Sequence, residues 1–566
     1  MMNRYRFLLI LSLLAAVSPA LRGQEERLRE RVYVSTDREV YVAGDAVWMS
    51  AYCVDAVSGR LSTFSKTAYV EIHSPSGMVQ TAKLALDGGR GAGRLTLPNT
   101  LPTGNYRLLA YTQLGASEEG FDPQTGARTL SVFNTFSTER LPDAVTVAAE
   151  PPQAAGLPQA GPLEVRTAGA ASPRGTTRIS VTNNGPSTIR FNLGVRHEDG
   201  IPAPRGQRIG DFVGGLKHLP ALRGFREGFH PEYEGEIIRA RVSGTDEAGL
   251  REVSQKFAFI SAPGSGENIY TESIGTDGQT AFYTSNIYGD HEMFLEIEGV
   301  DRERVCHLEL ISPFLDLQPG DIPALTLSPS YAKALETRSF GMQLEKIFDA
   351  DTLYEALPLR EHLVLDRQEC IRYNLDDYTR FPVMEEIFVE FIPEMRTRRV
   401  DGVQQIQVRV SDMLNNYYFP SGTALVLLDG VPVLDHAKIL AYDPLLVKRI
   451  DIYPDSYLFG IRGFSGIVNF VTYKGTLPSM QFEDNVRIVD YQGCSLPLAY
   501  TCAGVGRDYP DFRQTLYWHP LLTLGPGETL EVECKTPAYG GRFEAVAEGL
   551  TEAGAAVAAH ATLTVR

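Results

Sequence analysis

The sequence predicts a mainly β, multidomain protein that also contains a small α/β domain and a short helical connector. The chain has 566 residues, which corresponds to about three to five domains. Its 52 Gly, 34 Pro, 26 Tyr and 26 Phe favour many short strands and turns over long helices. Over most of the chain, apolar residues alternate with polar ones, and this period of two is typical of half-buried strands.

The strand-rich segments are separated by turns and by one linker. Residues 31–135 alternate around Val32, Val34, Val40 and Val42, and strands spaced so evenly suggest a β-sandwich. A segment rich in Ala, Pro and Gly follows and is predicted to be a linker. The predicted order is a signal peptide at 1–23, a β-sandwich at 24–146, a linker at 147–162, β-sandwiches at 163–230 and 231–320, a helical connector at 321–380, an α/β domain at 381–478, and a C-terminal β-sandwich at 479–566.

Two segments have the apolar spacing of helices. The first begins near Pro329, a residue suited to the first turn, and places Tyr331, Leu335 and Met342 at helical intervals. The second is FPVMEEIFVEFI, in which the apolar residues share one face and the glutamates lie opposite. We therefore predict one helix in the connector and one at the start of the α/β domain.

The pattern of residues at the N-terminus predicts that the protein is exported. Arg4 and Arg6 precede an apolar run at 7–17, and small and turn-forming residues follow. This is the layout of a secretory signal peptide, and the run is short for a membrane span. We expect cleavage near Gly23, with an uncleaved anchor as the alternative. No later stretch has the length and apolar character of a membrane-spanning helix.

Net charge limits the classes of binding partner, and cysteine spacing limits the kinds of metal site and disulfide. The formal net charge is −17, which argues against nucleic acid because phosphates need Lys and Arg for neutralisation. The six cysteines show no paired C-x-x-C spacing. In an exported protein Cys494 and Cys502 are candidates for a small disulfide loop, and a Cys502–Cys534 disulfide is the alternative. Cys53, Cys306 and Cys370 are predicted to be buried apolar residues.

Signatures of catalysis are missing from the sequence. GGRGAG at 88–93 lacks the G-x-G-x-x-G order, and GFSGI at 463–467 lacks the G-x-S-x-G spacing. There is no H-E-x-x-H helix motif and no acidic calcium loop. We therefore expect no enzymatic activity, no cofactor and no metal. A hydrolase whose site forms only in the folded chain remains an alternative.

The first β segment resembles a known family. Its core is Thr36-Asp37-Arg38, Tyr41, Gly44-Asp45 and Trp48, and GNYRLLAYT at 104–112 fits the last strand. These residues resemble the macroglobulin-type β-sandwiches of bacterial alpha-2-macroglobulin-like proteins. DFRQTLYWHPLL within 511–554 is similar to a later β-domain of the same family. The thioester motif Cys-Gly-Glu-Gln of that family is missing, because Cys494 continues as Ser495-Leu496. Covalent trapping of proteases is therefore not expected.

Residues 424–475 resemble the plug domain of TonB-dependent outer-membrane receptors, and the helix before them resembles the opening helix of that domain. The matching residues are Leu425–Leu428, Asp429-Gly430-Val431-Pro432, Asp443-Pro444, Val447–Ile452, Tyr457, Gly460, Gly463, Gly466-Ile467-Val468 and Thr472. Only about ninety residues follow Gly475, whereas a receptor needs a long series of barrel strands. We therefore expect a plug-like domain without a barrel.

Together the resemblances match exported Bacteroidota-type proteins that join macroglobulin-like domains to a plug-like domain. They imply a non-enzymatic protein of the periplasm or outer membrane that binds another envelope protein, such as an outer-membrane receptor, in association with TonB-dependent uptake. The alternatives are a thioester-free protease-binding protein with its bait loop at 147–162, and a plug fold that serves only as a structural spacer. The candidate interaction surface is Asp429, Gly430, Val431, Pro432, Tyr457, Gly460, Gly463 and Gly466.

Overall fold

Strands dominate this protein, and the prediction of a mainly β, multidomain fold is confirmed. The computed structural model describes residues 28–142, 144–146, 159–204, 206–227, 230–264, 268–300, 306–348, 353–359, 370–400, 402–411, 417–503, 506 and 509–566. The predicted signal peptide and most of the predicted linker lie outside these residues. Within the described ranges, no helix has both the length and the apolar character to cross a bilayer.

The chain forms two compact units. The first comprises residues up to Gly235 together with Phe314–Leu359 and Cys494–Arg566, and the second comprises Glu236–Pro313 and Arg360–Gly493. Each unit is therefore assembled from segments that are far apart in sequence, which the predicted linear order of domains did not anticipate.

The first unit begins with a folded eight-stranded sheet. Its strands are β1 (Glu30–Thr36), β2 (Val40–Val42), β3 (Ala46–Asp55), β4 (Thr67–Ser74), β5 (Gly77–Asp87), β6 (Arg90–Thr96), β7 (Gly104–Tyr111) and β8 (Arg128–Phe133), with helix α1 (Gln113–Ser117) before β8. The hydrogen-bonded order is β1-β3-β6-β5-β4-β7-β8-β2. Val34, Met49, Ile72 and Leu108 from four of these strands meet in one core. These strands cover most of the predicted sandwich at 24–146.

A second sandwich in this unit joins two distant segments. Its strands are β10 (Leu163–Thr167), β11 (Ala170–Ala171), β12 (Thr176–Asn183), β13 (Ile189–His197), β21 (Tyr354–Ala356), β32 (Leu498–Tyr500), β33 (Thr515–Leu524), β34 (Thr529–Lys535), β35 (Gly541–Thr551) and β36 (Ala556–Val565). They form two sheets, β10-β12-β34 and β11-β36-β35-β13-β33-β32-β21, which share one core containing Val165, Phe191, Leu516 and Phe543.

The prediction of separate sandwiches at 163–230 and 479–566 is therefore wrong. Strand β13 lies between β33 and β35, so the two segments complete each other's sheets. Residues 209–216 form helix α2 (Ile209–Leu216) instead of a strand. The helix places Phe212 against Tyr33 of β1, and this packing explains why its apolar residues are buried.

The predicted helical connector is divided between the two units. Pro329–Tyr331 form a 3₁₀ turn that leads into helix α4 (Ala332–Ile347) of the first unit, so the helix predicted after Pro329 is confirmed. Arg338 of this helix is buried and donates to the carbonyl of Val40 at 2.6 Å. The short strands β9 (Val145–Thr146) and β20 (Thr326–Leu327) pair in parallel beside it.

The second unit contains a third sandwich. Its elements are β14 (Ile237–Ser243), helix α3 (Glu247–Val253), β15 (Phe257–Ser261), β16 (Ile269–Ser273), β17 (Gln279–Tyr283), β18 (Asp290–Ile297), β19 (His307–Ile311) and β31 (Arg487–Gln492). The sheets β17-β14-β19 and β16-β15-β18-β31 share a core containing Ile238, Ile260, Met293 and Leu308. Strand β31 comes from the predicted C-terminal domain, so the boundary at 479 also differs from the structure.

The α/β domain completes the second unit. Its elements are β22 (Ile371–Asn374), a 3₁₀ turn (Leu375–Asp377), helix α5 (Met384–Phe391), β23 (Met395–Val400), β24 (Val403–Val408), β25 (Val410–Ser411), β26 (Tyr417–Tyr418), β27 (Leu425–Leu428), β28 (Val431–Pro432), helix α6 (His436–Leu440), a 3₁₀ turn (Pro444–Leu446), β29 (Val447–Phe459) and β30 (Arg462–Thr472). The main sheet has the order β22-β29-β30-β27-β28. Helix α5 confirms the second predicted helix. It covers one face of the sheet, where Phe388 contacts Phe470 with ring centroids 6.1 Å apart.

Candidate interaction surface

The residues predicted to form an interaction surface fall into two groups. Asp429, Gly430, Val431 and Pro432 are buried, with only 2% of Asp429 exposed, and Gly466 is buried as well. The prediction that these five residues form a surface is therefore wrong. Tyr457, Gly460 and Gly463 lie at the end of the hairpin formed by β29 and β30, which is partly exposed. We call residues 457–463 the hairpin tip.

The buried group builds a tight turn. Asp429 and Gly430 connect β27 to β28 and have φ of +48° and +82°. A two-residue turn with positive φ at both positions favours the sequence Asp-Gly. The Asp429 carboxylate accepts hydrogen bonds from the amide of Thr472 at 2.7 Å, from its hydroxyl at 2.7 Å, and from the amide of Leu477 at 2.9 Å. Asp429 therefore fixes the end of β30 and the segment that follows.

The second face of the α/β sheet packs on the third sandwich. Leu425, Leu427 and Ile467 share one apolar cluster with Phe259 of β15 and Ile269 of β16. The amide of Gly264 donates to the carbonyl of Asp429 at 2.9 Å. The α/β domain therefore packs on its own β neighbours, and this explains why the Asp-Gly turn is buried.

The hairpin tip is fixed to the same sandwich at three points. A Cβ at Gly460 would lie 2.3 Å from the carbonyl oxygen of Thr271, and φ is +55°, so this position needs glycine. The Thr271 hydroxyl donates to the carbonyl of Phe459. Arg462 forms a two-point ion pair with Glu298, with N–O distances of 2.7 and 3.2 Å. These contacts give the tip a defined position on β16 and β18.

Two aliphatic side chains at the tip are exposed. Leu458 is 77% exposed and Ile461 is 63% exposed. In the sequence, Leu458 comes before Gly460 and Ile461 comes directly after it. Tyr457 is half-buried beside them, and burial raises its pKa to about 12. Sequence analysis selected the glycines of this segment but missed the two aliphatic residues. The signal that identifies them is the two-residue turn Gly460-Ile461. Ile461 lies in this turn and Leu458 lies two residues before it, so both are at the end of a long hairpin.

His436 and the cysteines Cys502 and Cys534 are held in buried environments that serve the fold. His436 is buried, its Nδ1 accepts the amide of Ile406 at 3.0 Å, and burial lowers its pKa to about 4. None of the six cysteines, all of which lie within the described residues, forms a disulfide, so neither predicted disulfide is present. Burial raises the pKa of Cys502 to about 11 and of Cys534 to about 12, which keeps both thiols protonated. Among the described residues, no cluster of three or more His, Cys, Asp or Glu has a metal-binding arrangement.

Comparison with known proteins gives remote matches only. No protein-family model matches the sequence, and no curated protein matches it. The solved structures that match include Escherichia coli alpha-2-macroglobulin activated by porcine elastase, at 9% identity over 95% of this chain and 44% of that chain, with a TM-score of 0.24. Trypsin-activated alpha-2-macroglobulin from Escherichia coli matches at 8% identity over 95% of this chain and 42% of that chain, with a TM-score of 0.24. Salmonella alpha-2-macroglobulin reacted with methylamine matches at 9% identity over 95% of this chain and 39% of that chain, with a TM-score of 0.23.

The chain therefore spans less than half the length of these macroglobulins. TM-scores of 0.23 and 0.24 are too low to establish a common arrangement of domains. The macroglobulin-like and plug-like identities of the individual domains stay predictions.

Proposed function

We propose that this chain is a non-enzymatic cell-envelope protein that binds another protein through its hairpin tip. The observation that carries the proposal is the exposure of Leu458 and Ile461 on a hairpin whose backbone is anchored on both sides of the turn. Single exposed aliphatic residues are common on protein surfaces. Here an ion pair, a hydrogen bond and a close glycine contact fix the backbone that carries both residues, so the two side chains form a preorganised apolar projection.

Preorganisation favours binding at this tip. A flexible loop loses backbone and side-chain freedom when a partner binds, and this loss opposes association. At the tip, Gly460 and Arg462 already hold the backbone in one position. Full burial of a Leu or Ile side chain contributes roughly 1.5–3 kcal/mol. Two such side chains are therefore sufficient for a small hot spot at the centre of an interface.

Patterns in the sequence support the proposed location and partner class. The N-terminal pattern of residues 1–23 supports export, and the resemblance of residues 381–478 to plug domains supports a site at the periplasmic face of the outer membrane. In this proposal the partner is an outer-membrane receptor, and the chain acts in TonB-dependent uptake. The missing catalytic signatures support a binding role over an enzymatic one.

The alternative function is thioester-free binding of proteases. Its bait loop would lie at 147–162, and most of that segment falls outside the described residues. No contact among the described residues favours it over the tip hypothesis. Limited proteolysis separates the two functions, because a protease-binding protein is cleaved in the bait segment and then retains the protease.

Site-specific crosslinking tests the proposed function. A photoreactive amino acid at Leu458 or Ile461, introduced in native cells, is expected to capture one receptor-sized envelope protein. The same probe at Val57, which is 66% exposed in the first unit, serves as the matched control. Identical products from all three positions, or no product from the tip positions, would overturn the proposal. A crosslinked protease would instead support the alternative.

A further inference from the structure

A second surface of the α/β domain combines arginines with aromatic rings. In the ribbon formed by β23 and β24, Arg396 lies opposite Gln407 and Arg398 lies opposite Gln405. Residues directly opposite each other in an antiparallel pair share one face. Arg409 follows β24 on the same face, because its amide bonds to the carbonyl of Glu394 two residues before Arg396. We call this surface, with Tyr417 and Phe419, the Arg–aromatic face.

Aromatic rings hold two of the three guanidinium groups. The guanidinium of Arg396 lies 4.1 Å from the ring centroid of Phe419, and that of Arg409 lies 5.3 Å from the ring centroid of Tyr417. The Nε of Arg396 also donates to Gln407 at 3.0 Å. Stacking of this kind leaves the N–H edges of a guanidinium to bind carboxylates at two points. The rings therefore fix the cations in place without neutralising them.

Positive charge exceeds negative charge on this face. Glu394 pairs with Arg409 at 3.6 Å and accepts the hydroxyl of Tyr373 at 2.7 Å. Arg396 and Arg398 are exposed, and no carboxylate among the described residues lies within ion-pair distance of either. This concentration of cations contrasts with a formal charge of −17 for the whole chain. Arginines on a short ribbon also discourage edge-to-edge aggregation, but that role does not require exposed aromatic partners such as Tyr417.

We propose that the Arg–aromatic face binds an extended acidic segment of a partner protein. Arg396 and Arg398 are two residues apart on one strand, a separation of about 6.8 Å. An extended peptide with acidic residues at alternate positions repeats its carboxylates at the same spacing. Two unpaired guanidiniums and a third that is paired with Glu394 suit a short acidic segment, whereas nucleic-acid sites commonly engage about 6–10 phosphates. Arg and Tyr are also the residue types that dominate protein–protein hot spots.

The inference refines the proposed function by naming the chemistry of a protein partner, but it uses residues outside the hairpin tip. Fluorescence anisotropy with a labelled peptide of about ten residues that alternates Glu and Ser measures the affinity directly. We expect salt-sensitive binding, with affinity falling as NaCl rises from about 0.05 M to about 0.5 M. The double variant Arg396→Gln/Arg398→Gln is expected to bind about tenfold more weakly.

The control removes equal charge elsewhere in the same unit. Arg241 and Arg251 are exposed arginines in surface ion pairs, and Arg241→Gln/Arg251→Gln is expected to bind the peptide as the wild type does. Equal weakening by both double variants would show a nonspecific charge effect and overturn the inference. Failure of the wild type to bind the peptide, or tighter binding of a single-stranded oligonucleotide of equal charge, would also overturn it. The Leu458 crosslink is unaffected by any of these outcomes, so the two proposals fail separately.

Discussion

Replacement of Asp429 tests the structural role assigned to the buried Asp-Gly turn. Asp429→Ala removes a carboxylate that accepts three hydrogen bonds from Thr472 and Leu477. A hydrogen bond to a charged group contributes about 1.5–3 kcal/mol, so the lower value alone gives about 4–5 kcal/mol for three bonds. Alanine at φ +48° adds about 1 kcal/mol of backbone strain. We expect the α/β domain to lose about 5 kcal/mol of stability.

Asp429→Asn is the matched control for this prediction. Asparagine tolerates positive φ. Its side-chain oxygen keeps the hydrogen bonds of only one carboxylate oxygen, such as those that Oδ2 accepts from the Thr472 hydroxyl and the Leu477 amide. The variant loses the negative charge and the second oxygen. We therefore expect a loss of about 2 kcal/mol, less than half of the effect of alanine.

The assay must report on the second unit alone. Both tryptophans, Trp48 and Trp518, belong to the first unit, so tryptophan fluorescence does not follow unfolding of the α/β domain. Hydrogen exchange with mass spectrometry of peptides from β27 and β30 measures the local opening free energy. An Asp429→Ala variant whose β30 amides exchange as slowly as those of the wild type would refute the role assigned to this carboxylate.

Three further predictions concern other contacts in the two units. Burial raises the pKa of Glu296 to about 8, above the ordinary value near 4.3. The folded state therefore binds this proton more tightly than the unfolded state does. The resulting stability is fully present at pH 4 and is lost as the pH rises through 8. Glu296→Gln should make the second unit less sensitive to alkaline pH in thermal melts between pH 6 and 9. Gly460→Val should separate the hairpin tip from the carbonyl that approaches it in β16, and faster hydrogen exchange confined to the tip and β16 would show this. Arg513→Met should lower the stability of the first unit by about 3–5 kcal/mol, because it leaves the buried carboxylate of Asp511, now paired at 2.7 Å, without its partner. Denaturation followed by tryptophan fluorescence measures that loss, and an unchanged midpoint would contradict it.

Local features of the fold were predictable because they depend on neighbouring residues. The helix after Pro329 and the helix within FPVMEEIFVEFI have the predicted positions, since apolar spacing and a first-turn proline act over a few residues. The Asp429-Gly430 turn was also predictable, because a turn with positive φ at both positions favours the sequence Asp-Gly.

Strand partners were not predictable from local pattern. Alternation shows that β13 is a strand, but it does not show that the strand pairs with residues 515–524 and 541–551. The sequence order of the segments therefore gave wrong boundaries at 163–230 and 479–566. Pairing between distant strands depends on the whole set of apolar faces that must be covered.

Exposure of the candidate site was also not predictable. Asp429 and Gly430 look like a surface turn, because polar turn residues usually lie at the surface. The apolar face that includes Leu425, Leu427 and Ile467 gave no local sign that β15 and β16 cover it. Leu458 lies in β29 together with buried apolar residues, and Ile461 lies in the turn that follows, so strand alternation alone did not mark them as exposed.

The division of the second sandwich between residues 163–197 and 515–565 constrains how the polypeptide matures. During translation, β13 leaves the ribosome more than three hundred residues before β33 and β35 exist. Until then, neither edge of β13 has its native neighbour, and the apolar side of the strand lies open to non-native contacts. Closure over such a sequence separation is slow. We therefore expect the nascent chain to depend on a chaperone that shields this strand until synthesis ends.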